Sequence, residues 1–362
     1  MDELLLRTGF EIELLAPAGS DRQTLADELA ARCAGRVRRS FHVDSEPSAV
    51  PGVGVFRHLS PAFDVVDEHG RPVARLVDDI TIQRDLSPAP GITGGPGRRD
   101  WYHVLCDEGR LLRLIERHTN PNASLATVLD PVAELFGSRV DLLPGAARVN
   151  DSAGATVAVA MTLPPGRERP CEIVTPPIER HHALALERLL GPARELGFTV
   201  PREAAVHLHL DGAPFRRPES FANVVRLFGH WREELWAALD ANPDCQRLAP
   251  LPQELVDLVE LPWQEAGDRS AWTLMRDAAQ GAGVTKFADV NLKQLLTDRP
   301  VRDTLEVRIL PGDLDTSAIV RRAALVEALL ARCLDPRPIP RPDRSAARDP
   351  RGALDDLLGV RR

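Results

Sequence analysis

Apolar and polar positions alternate with the period of a β-strand in several short stretches of the chain. In RTGFEIELLAP (residues 7–17), Phe10, Ile12 and Leu14 fall on one side of a strand, and Glu11 and Glu13 fall on the other. The same alternation is found in CEIVTPP (171–177), EAAVHLHLDG (203–212) and TLEVRILPG (304–312). Residues 53–83 predict further strands, with DEHGRP (67–72) as a hairpin turn.

Other stretches place apolar residues three and four positions apart, which predicts amphipathic helices. These helices are expected within 19–35, 107–118, 124–137, 176–196, 218–240, 268–280 and 315–334. The Gly- and Pro-rich stretch 87–100 predicts a loop or lid. Pro and Arg dominate the chain after Asp335, so residues 336–362 are expected to be a disordered tail. ALDDLLGVRR (353–362) within it has the alternative of a short docking helix.

Composition excludes several classes of function. The net charge of -8 has the wrong sign for phosphate contacts, so no nucleic-acid partner is expected. The N-terminus lacks the pattern of a signal peptide, and no apolar run is long enough to span a bilayer. Five cysteines, none in a C-x-x-C pair, argue for a reducing compartment. A cytoplasmic protein without a membrane partner is therefore expected.

The polar sides of the strands carry an unusual set of side chains. They are Glu11, Glu13, Glu172, His207, His209, Glu306 and Arg308. A single such pair is ordinary in a sheet with one wet face, but such faces usually carry Thr, Ser, Lys and Gln. Neighbouring carboxylates repel each other unless a cation lies between them, and carboxylates with one or two imidazoles suit Mg²⁺ or Mn²⁺. The set as a whole therefore predicts a divalent-metal site on a sheet.

These motifs, in this order, resemble the amidoligase branch of the glutamine synthetase-like carboxylate–amine ligases. The matching pieces are TGFEIEL, CEIVTPPI, AVHLHLDG, KFADVNL and TLEVRILPG, which together bracket about residues 7–330. The resemblance implies an α+β fold, in which a curved antiparallel β-sheet forms a funnel-shaped active site and helices pack on its convex face. It implies a single catalytic domain over 1–335 with an insertion at about 84–150. VDDITI stands where the family commonly has a D-G-S segment.

The resemblance also implies roles for individual residues. Glu11 would bind one metal with Glu306 and with His207 or His209, and Glu13 would bind a second metal with Glu172. Arg308 would hold the transferred phosphate or the substrate carboxylate, and Lys286 and Asn291 would contact nucleotide or phosphate. Lys286 and Lys293 are the chain's two lysines, and their nearness in sequence is as easily chance as a phosphate site. Asp79 or Asp211 could be the base that takes a proton from the amine.

The expected activity is an ATP-dependent carbon–nitrogen ligase with Mg²⁺ or Mn²⁺. ATP would convert a carboxylate to an acyl phosphate, which an amine then attacks to form an amide or peptide bond. Three alternatives remain open: a metal-dependent hydrolase, a non-catalytic nucleotide- or peptide-binding protein, and a phosphotransferase acting on guanidine groups. The sequence identifies neither the carboxylate nor the amine, and it does not give the oligomeric state.

Overall fold

The computed structural model describes residues 4–47, 55–86, 101–245, 247–264, 269–300, 302–343 and 346–359. The predicted loop over 87–100 lies outside the described residues. The chain divides into two compact units. The first contains Met1–Glu13, Thr175–Gly191 and Val200–Arg362, and the second contains Leu14–Val174 and Pro192–Thr199.

The first unit is built on antiparallel strands with helices beside them. Its strands are β1 (Thr8–Leu15), β10 (Ala205–Asp211), β11 (Val290–Asn291) and β12 (Thr304–Pro311). β10 pairs with β1 on one edge and with β12 on the other, and β12 also pairs with β11. Its helices are α4 (His182–Glu195), α5 (Pro218–His230), α6 (Arg232–Leu239), α7 (Gln253–Leu258), α8 (Ala271–Gln280), α9 (Lys293–Leu296), α10 (Thr316–Cys333) and α11 (Pro350–Leu357). β1 and α4 continue past the unit boundaries to Leu15 and Glu195.

The apolar sides of these strands form the core of the unit, as the alternation predicts. Phe10 and Ile12 of β1 and Val307 and Ile309 of β12 are fully buried, and α10 packs on β12. The Asp315 side chain caps α10 by accepting a hydrogen bond from Ser317 N–H. The apolar face is what fixes the register, because a slip of one residue would turn every glutamate and histidine towards the core.

The C-terminal segment differs from the expectation of disorder. The buried amide of Asn223 donates to the carbonyls of Asp335 and Arg337 at 2.8 and 3.1 Å and accepts a hydrogen bond from Ile339 N–H at 2.9 Å. Ile339 is buried, as is Leu354 of α11. The expectation of disorder rested on a composition rich in Pro and Arg. It did not foresee these anchors, because one buried amide and a few apolar side chains are enough to hold the segment. The docking-helix alternative is the one that the structure matches.

The second unit is also antiparallel. Its strands are β2 (Arg36–Pro47), β3 (Val55–Val66), β4 (Pro72–Val77), β5 (Tyr102–Cys106), β6 (Val140–Leu143), β7 (Ala146–Asn150), β8 (Thr156–Thr162) and β9 (Pro170–Val174), and its helices are α1 (Arg22–Arg32), α2 (Gly109–His118) and α3 (Asp130–Leu135). The strands run in the order β9-β4-β3-β5-β8-β7-β6, with β2 paired to β3. Antiparallel strands together with separate helices confirm the α+β class.

Three local predictions in this chain need correction. The strand predicted to reach Gln83 ends at Val77, because the side chain of Asp79 accepts hydrogen bonds from Thr81 N–H and O–H and so forms a local turn. The helix predicted over 124–137 is confined to α3, since Pro131 is tolerated only in its first turn. The helix predicted over 218–240 breaks at Trp231, whose indole N–H donates to the Pro340 carbonyl. Across the described stretches of the chain, every helix is too short or too polar to traverse a bilayer.

Candidate active site

Antiparallel pairing brings the predicted polar side chains of the first unit together. Glu11 of β1 lies directly opposite His207 of β10, and His209 lies directly opposite Glu306 of β12. Asn291 of β11 lies opposite the same Glu306. Directly opposed residues share one face of a sheet with Cβ atoms about 5 Å apart. The polar positions of four strands therefore lie close together on one face of the sheet.

Two backbone features shape this face. His209 lies opposite Gly9, which carries no side chain, so its imidazole has room to lean towards Glu11. The pairing of β10 with β12 shifts register between Val206 and Leu208, which leaves an extra residue on β12 beside His207. Such a bulge bends the strand and re-aims its side chains. Here it falls at Arg308.

Short contacts join the imidazoles to the carboxylates. His207 Nδ1 lies 3.3 Å from Glu11 Oε2, and His207 Nε2 lies 3.4 Å from Glu13 Oε1. His209 Nε2 lies 3.2 Å from Glu11 Oε1. His207 therefore lies between Glu11 and Glu13 of β1, which explains how two like charges can share one face of the strand.

Further partners orient the carboxylates. Asn291 Nδ2 donates to Glu306 Oε2 at 2.7 Å, and the Arg308 guanidinium pairs with the other oxygen of Glu306. The backbone N–H of Ala205 donates to Glu13 Oε2 at 2.9 Å. Arg302, which is half exposed, pairs with Glu11 Oε1 at 2.9 Å. Each glutamate is therefore fixed by a donor other than the histidines.

The cluster holds the carboxylates in their charged form. Burial alone would raise the pKa of Glu11, but His209 and His207 hold it well below its usual value. Burial likewise opposes ionisation of Glu306, and the charge of Arg308 lowers its pKa overall. Burial together with the nearby Arg308 lowers the pKa of His207. The pKa of His209 is raised, because the carboxylate of Glu11 outweighs the effect of burial. The result is a largely buried site in which ionised carboxylates lie beside imidazoles.

The donor set fits a divalent cation. One oxygen of Glu11, one ring nitrogen of His209 and one oxygen of Glu306 all lie within 4.8 Å of one another. The Nε2 atoms of His207 and His209 are buried and make no hydrogen bond, although carboxylate oxygens lie close by. Buried polar atoms without hydrogen bonds are costly, and a cation between these groups would satisfy them. Mixed carboxylate and imidazole donors suit Mg²⁺ or Mn²⁺.

The other predicted site residues lie elsewhere. Lys286, in the loop before β11, lies with Nζ 5.3 Å from the centre of the Phe287 ring. Asp211 is exposed at the end of β10, where it accepts a hydrogen bond from Ala213 N–H as a turn residue. Glu172 on β9 and Asp79 after β4 belong to the second unit. That Glu172 shares a metal with Glu13 therefore stays a prediction.

Sequence reasoning missed several charged residues that the fold places against these groups. Arg302 contacts Glu11 from a turn that carries no periodic signal. Asp289 is buried and bonds to Arg232 and Trp236, so the acidic residue of KFADVNL anchors helix α6. Arg247 is buried, and its positive charge acts on Arg308. The alternation of β10 and β12 signals none of these residues, since each lies in a connecting segment or on a helix.

Comparison with known protein families agrees with this geometry. The chain belongs to the amidoligase family described as "Putative amidoligase enzyme", whose pattern matches residues 5–330. This membership confirms the resemblance drawn from the motifs, and it supports a ligase. The match includes all the strands described above and stops before the C-terminal segment. No curated protein matches the chain.

Proposed function

We propose that this protein is an ATP-dependent carbon–nitrogen ligase that joins a carboxylate to an amine. The observation that carries the proposal is the cluster of Glu11, His209, Glu306 and Arg308, the last two of them buried, in a member of the amidoligase family. A free carboxylate is unreactive towards amines, so it must first become an acyl phosphate. That phosphoryl transfer brings two anions together, and it depends on positioning and on charge neutralisation.

The glutamates and histidines would hold two divalent cations, Mg²⁺ or Mn²⁺. Glu11 and Glu306, with His207 or His209, are proposed as the ligands of one, and Glu13 with Glu172 as ligands of the other. When bound, such ions neutralise the charge on phosphate oxygens and orient them. The side-chain amide of Asn291 donates to Glu306 Oε2 and so fixes the orientation of this carboxylate.

The remaining roles belong to cationic side chains and to a base. Arg308 is buried and paired with Glu306, and we assign it to the transferred phosphoryl group or the substrate carboxylate. Lys286 and Asn291 are assigned to nucleotide or phosphate. Asp79 is the sequence-based candidate for the proton acceptor. The proposal includes a glutamine synthetase-like curved sheet whose funnel admits ATP at one end and the other substrates at the opposite end.

A metal-dependent hydrolase is the second candidate, because two imidazoles lie among the carboxylates. It would use metal-activated water without ATP, and it gives Arg308 no role. The two candidates differ in a single respect that is simple to measure, namely whether nucleotide binds in a metal-dependent way.

Thermal unfolding of the full chain tests the proposal. Wild type, Glu306→Gln and the control Glu219→Gln are each unfolded with Mg²⁺ alone and with Mg²⁺ plus a non-hydrolysable ATP analogue. Glu219 is an exposed residue in the first turn of α5, so its variant controls for loss of one carboxylate. A ligand that binds only the folded state at a hundredfold excess over Kd stabilises it by roughly 2.7 kcal/mol.

We expect the analogue to raise the unfolding temperature of wild type and Glu219→Gln only with Mg²⁺, and to have little effect on Glu306→Gln. ADP release with panels of carboxylates and amines would then identify substrates. Stabilisation by metal alone, with no further effect of nucleotide, would reject the ligase in favour of the hydrolase.

A further inference from the structure

Arg302 adds a second guanidinium to the carboxylate–histidine cluster of the first unit. Its Nη1 lies 2.9 Å from Glu11 Oε1, and the same oxygen lies 3.2 Å from His209 Nε2. Arginine is not deprotonated in proteins, so its charge is permanent. A positive charge therefore lies against the oxygen of Glu11 that faces a candidate metal-binding imidazole. No role predicted from the sequence uses Arg302.

The backbone beside Arg302 is held in place. The carbonyl of Asp303 accepts a hydrogen bond from Gly212 N–H at 3.0 Å, and the carboxylate of Asp303 accepts one from Arg216 at 2.8 Å. The N–H of Thr304, the first residue of β12, donates to the Arg302 carbonyl at 2.9 Å. The Arg302 side chain therefore starts from a fixed point beside the cluster, and its own torsions decide which partner the guanidinium meets.

Arg302 and Arg308 differ in how much water reaches them. The side chain of Arg308 is 6% exposed and pairs with Glu306, whereas the side chain of Arg302 is 52% exposed. A buried guanidinium that lost its carboxylate would be left without a partner, which is costly, but water can solvate a half-exposed one. Ion pairs with an exposed partner are correspondingly weak. Arg302 is therefore the guanidinium that can leave its carboxylate at little cost.

The charges of the cluster change when a divalent cation binds. The guanidiniums of Arg302 and Arg308 match the carboxylates of Glu11 and Glu306, with which they pair one to one. A divalent cation held by Glu11, His209 and Glu306 adds two positive charges beside Arg302. Positive charges at such distances repel each other, more strongly near buried groups than in water. The cation therefore favours release of Arg302 from Glu11, and it leaves an excess of positive charge that an anion would match.

We propose that Arg302 is an exchangeable counter-cation, which gives up Glu11 when a divalent cation binds and then donates to the phosphate oxygens of the nucleotide. The proposal rests on the proposed ligase function and deepens it, because it makes binding of the cation and of the nucleotide successive. Arginine suits the second task, since its planar fork of N–H donors matches the geometry of phosphate.

Orientation of Glu11 is the alternative role for Arg302. Donors behind a metal-binding carboxylate usually strengthen metal binding. His207 Nδ1 already lies 3.3 Å from the other oxygen of Glu11, so the orientation of this carboxylate does not depend on Arg302 alone. The two roles predict opposite results, because removal of a competitor tightens cation binding and removal of an orienting donor weakens it.

Binding titrations of the full chain separate these roles. Mn²⁺ alone is titrated into wild type, Arg302→Gln and the control Arg299→Gln by calorimetry. A non-hydrolysable ATP analogue is then titrated into each protein with and without saturating Mn²⁺. The cation site to compare is the one that Glu306→Gln abolishes. Arg299 lies exposed in the same connection between α9 and β12, so its variant controls for the loss of one positive charge.

We expect Arg302→Gln to bind Mn²⁺ about two- to five-fold more tightly than wild type, the range for an ion pair with an exposed partner. It should bind the analogue about 10- to 100-fold more weakly at saturating Mn²⁺, the range for lost hydrogen bonds to a charged group. Arg302→Lys should recover part of the affinity for the analogue, because it keeps the charge without the fork. Arg299→Gln should match wild type in both titrations.

Two results would overturn the role of Arg302 and leave the ligase intact. Unchanged or weaker Mn²⁺ binding by Arg302→Gln would reject the exchange, and the weaker binding would assign Arg302 to orientation of Glu11. Binding of the analogue equal to that of wild type would reject the contact with phosphate. If wild type itself binds the analogue no better with Mn²⁺ than without it, the ligase proposal fails, and the role of Arg302 fails with it.

Discussion

Asp78 neutralises two buried arginines, so replacing it by asparagine should cost a large part of the stability of the protein. Asp78 and Arg22 are fully buried, and Arg167 is nearly so. The 2.8 Å pair of Asp78 with Arg167 corresponds to about 6 kcal/mol of attraction at an effective dielectric constant of 20, before the cost of burial. Removing one partner of a buried pair typically costs about 3–5 kcal/mol. Asparagine keeps the shape and one acceptor, so we expect about 3 kcal/mol.

Urea unfolding of the full chain, followed by fluorescence and circular dichroism, measures this loss. We expect a lower midpoint for Asp78→Asn with an unchanged m value, because the denatured state and the surface exposed on unfolding stay the same. The control is Glu195→Gln, which removes the exposed partner of Arg32 and should leave the midpoint within error. A midpoint for Asp78→Asn equal to that of the control would show that Arg22 and Arg167 do not depend on this carboxylate.

Three further predictions concern stability. The pKa of His58 is about 4 in the folded protein and about 6.5 in the unfolded chain. As the pH falls, the unfolded chain therefore binds this proton before the folded protein does. The free energy of unfolding should be full above pH 6.5 and should decline by about 3 kcal/mol towards pH 4. His58→Phe should remove this part of the pH dependence in urea titrations, and an unchanged slope would contradict the assignment. Gly35→Ala would place a Cβ 1.9 Å from the carbonyl oxygen of Val66. It should lower the unfolding temperature by far more than Gly281→Ala, whose Cβ would make only an ordinary contact of 3.5 Å with the carbonyl oxygen of Ala278. Asn223→Ala removes the amide that holds the C-terminal segment, and it should cost about 2 kcal/mol and speed proteolytic cleavage after Asp335; unchanged cleavage would count against this anchor.

The sequence predicts well those parts of the fold in which one periodicity decides the structure. β1, β10 and β12 follow the alternation of apolar and charged residues, and their polar members do meet, because antiparallel pairing places directly opposed residues on one face. The hairpin between β3 and β4 was predictable for a similar reason. Its turn is held by Asp67, whose carboxylate accepts hydrogen bonds from two backbone N–H groups of the same turn.

Other parts depend on contacts between residues distant in the chain, which periodicity does not encode. β2 is long but carries polar residues along much of its length, so no clean alternation marks it. The C-terminal segment is held by Asn223, more than a hundred residues earlier. The bulge at Arg308 is a mismatch between two strands and is visible in neither of them alone. These elements follow from tertiary structure, which overrides local composition.

The carboxylate–histidine cluster of the first unit contains buried polar atoms that make no hydrogen bond, and this bears on function. His207 and His209 keep buried ring nitrogens without hydrogen bonds beside charged carboxylates. A cation bound between these groups would satisfy them. We therefore expect removal of divalent metal to lower the unfolding temperature of wild type and to leave that of Glu306→Gln nearly unchanged. Calorimetry with and without a chelator measures the difference, and equal responses of the two proteins would place the metal elsewhere.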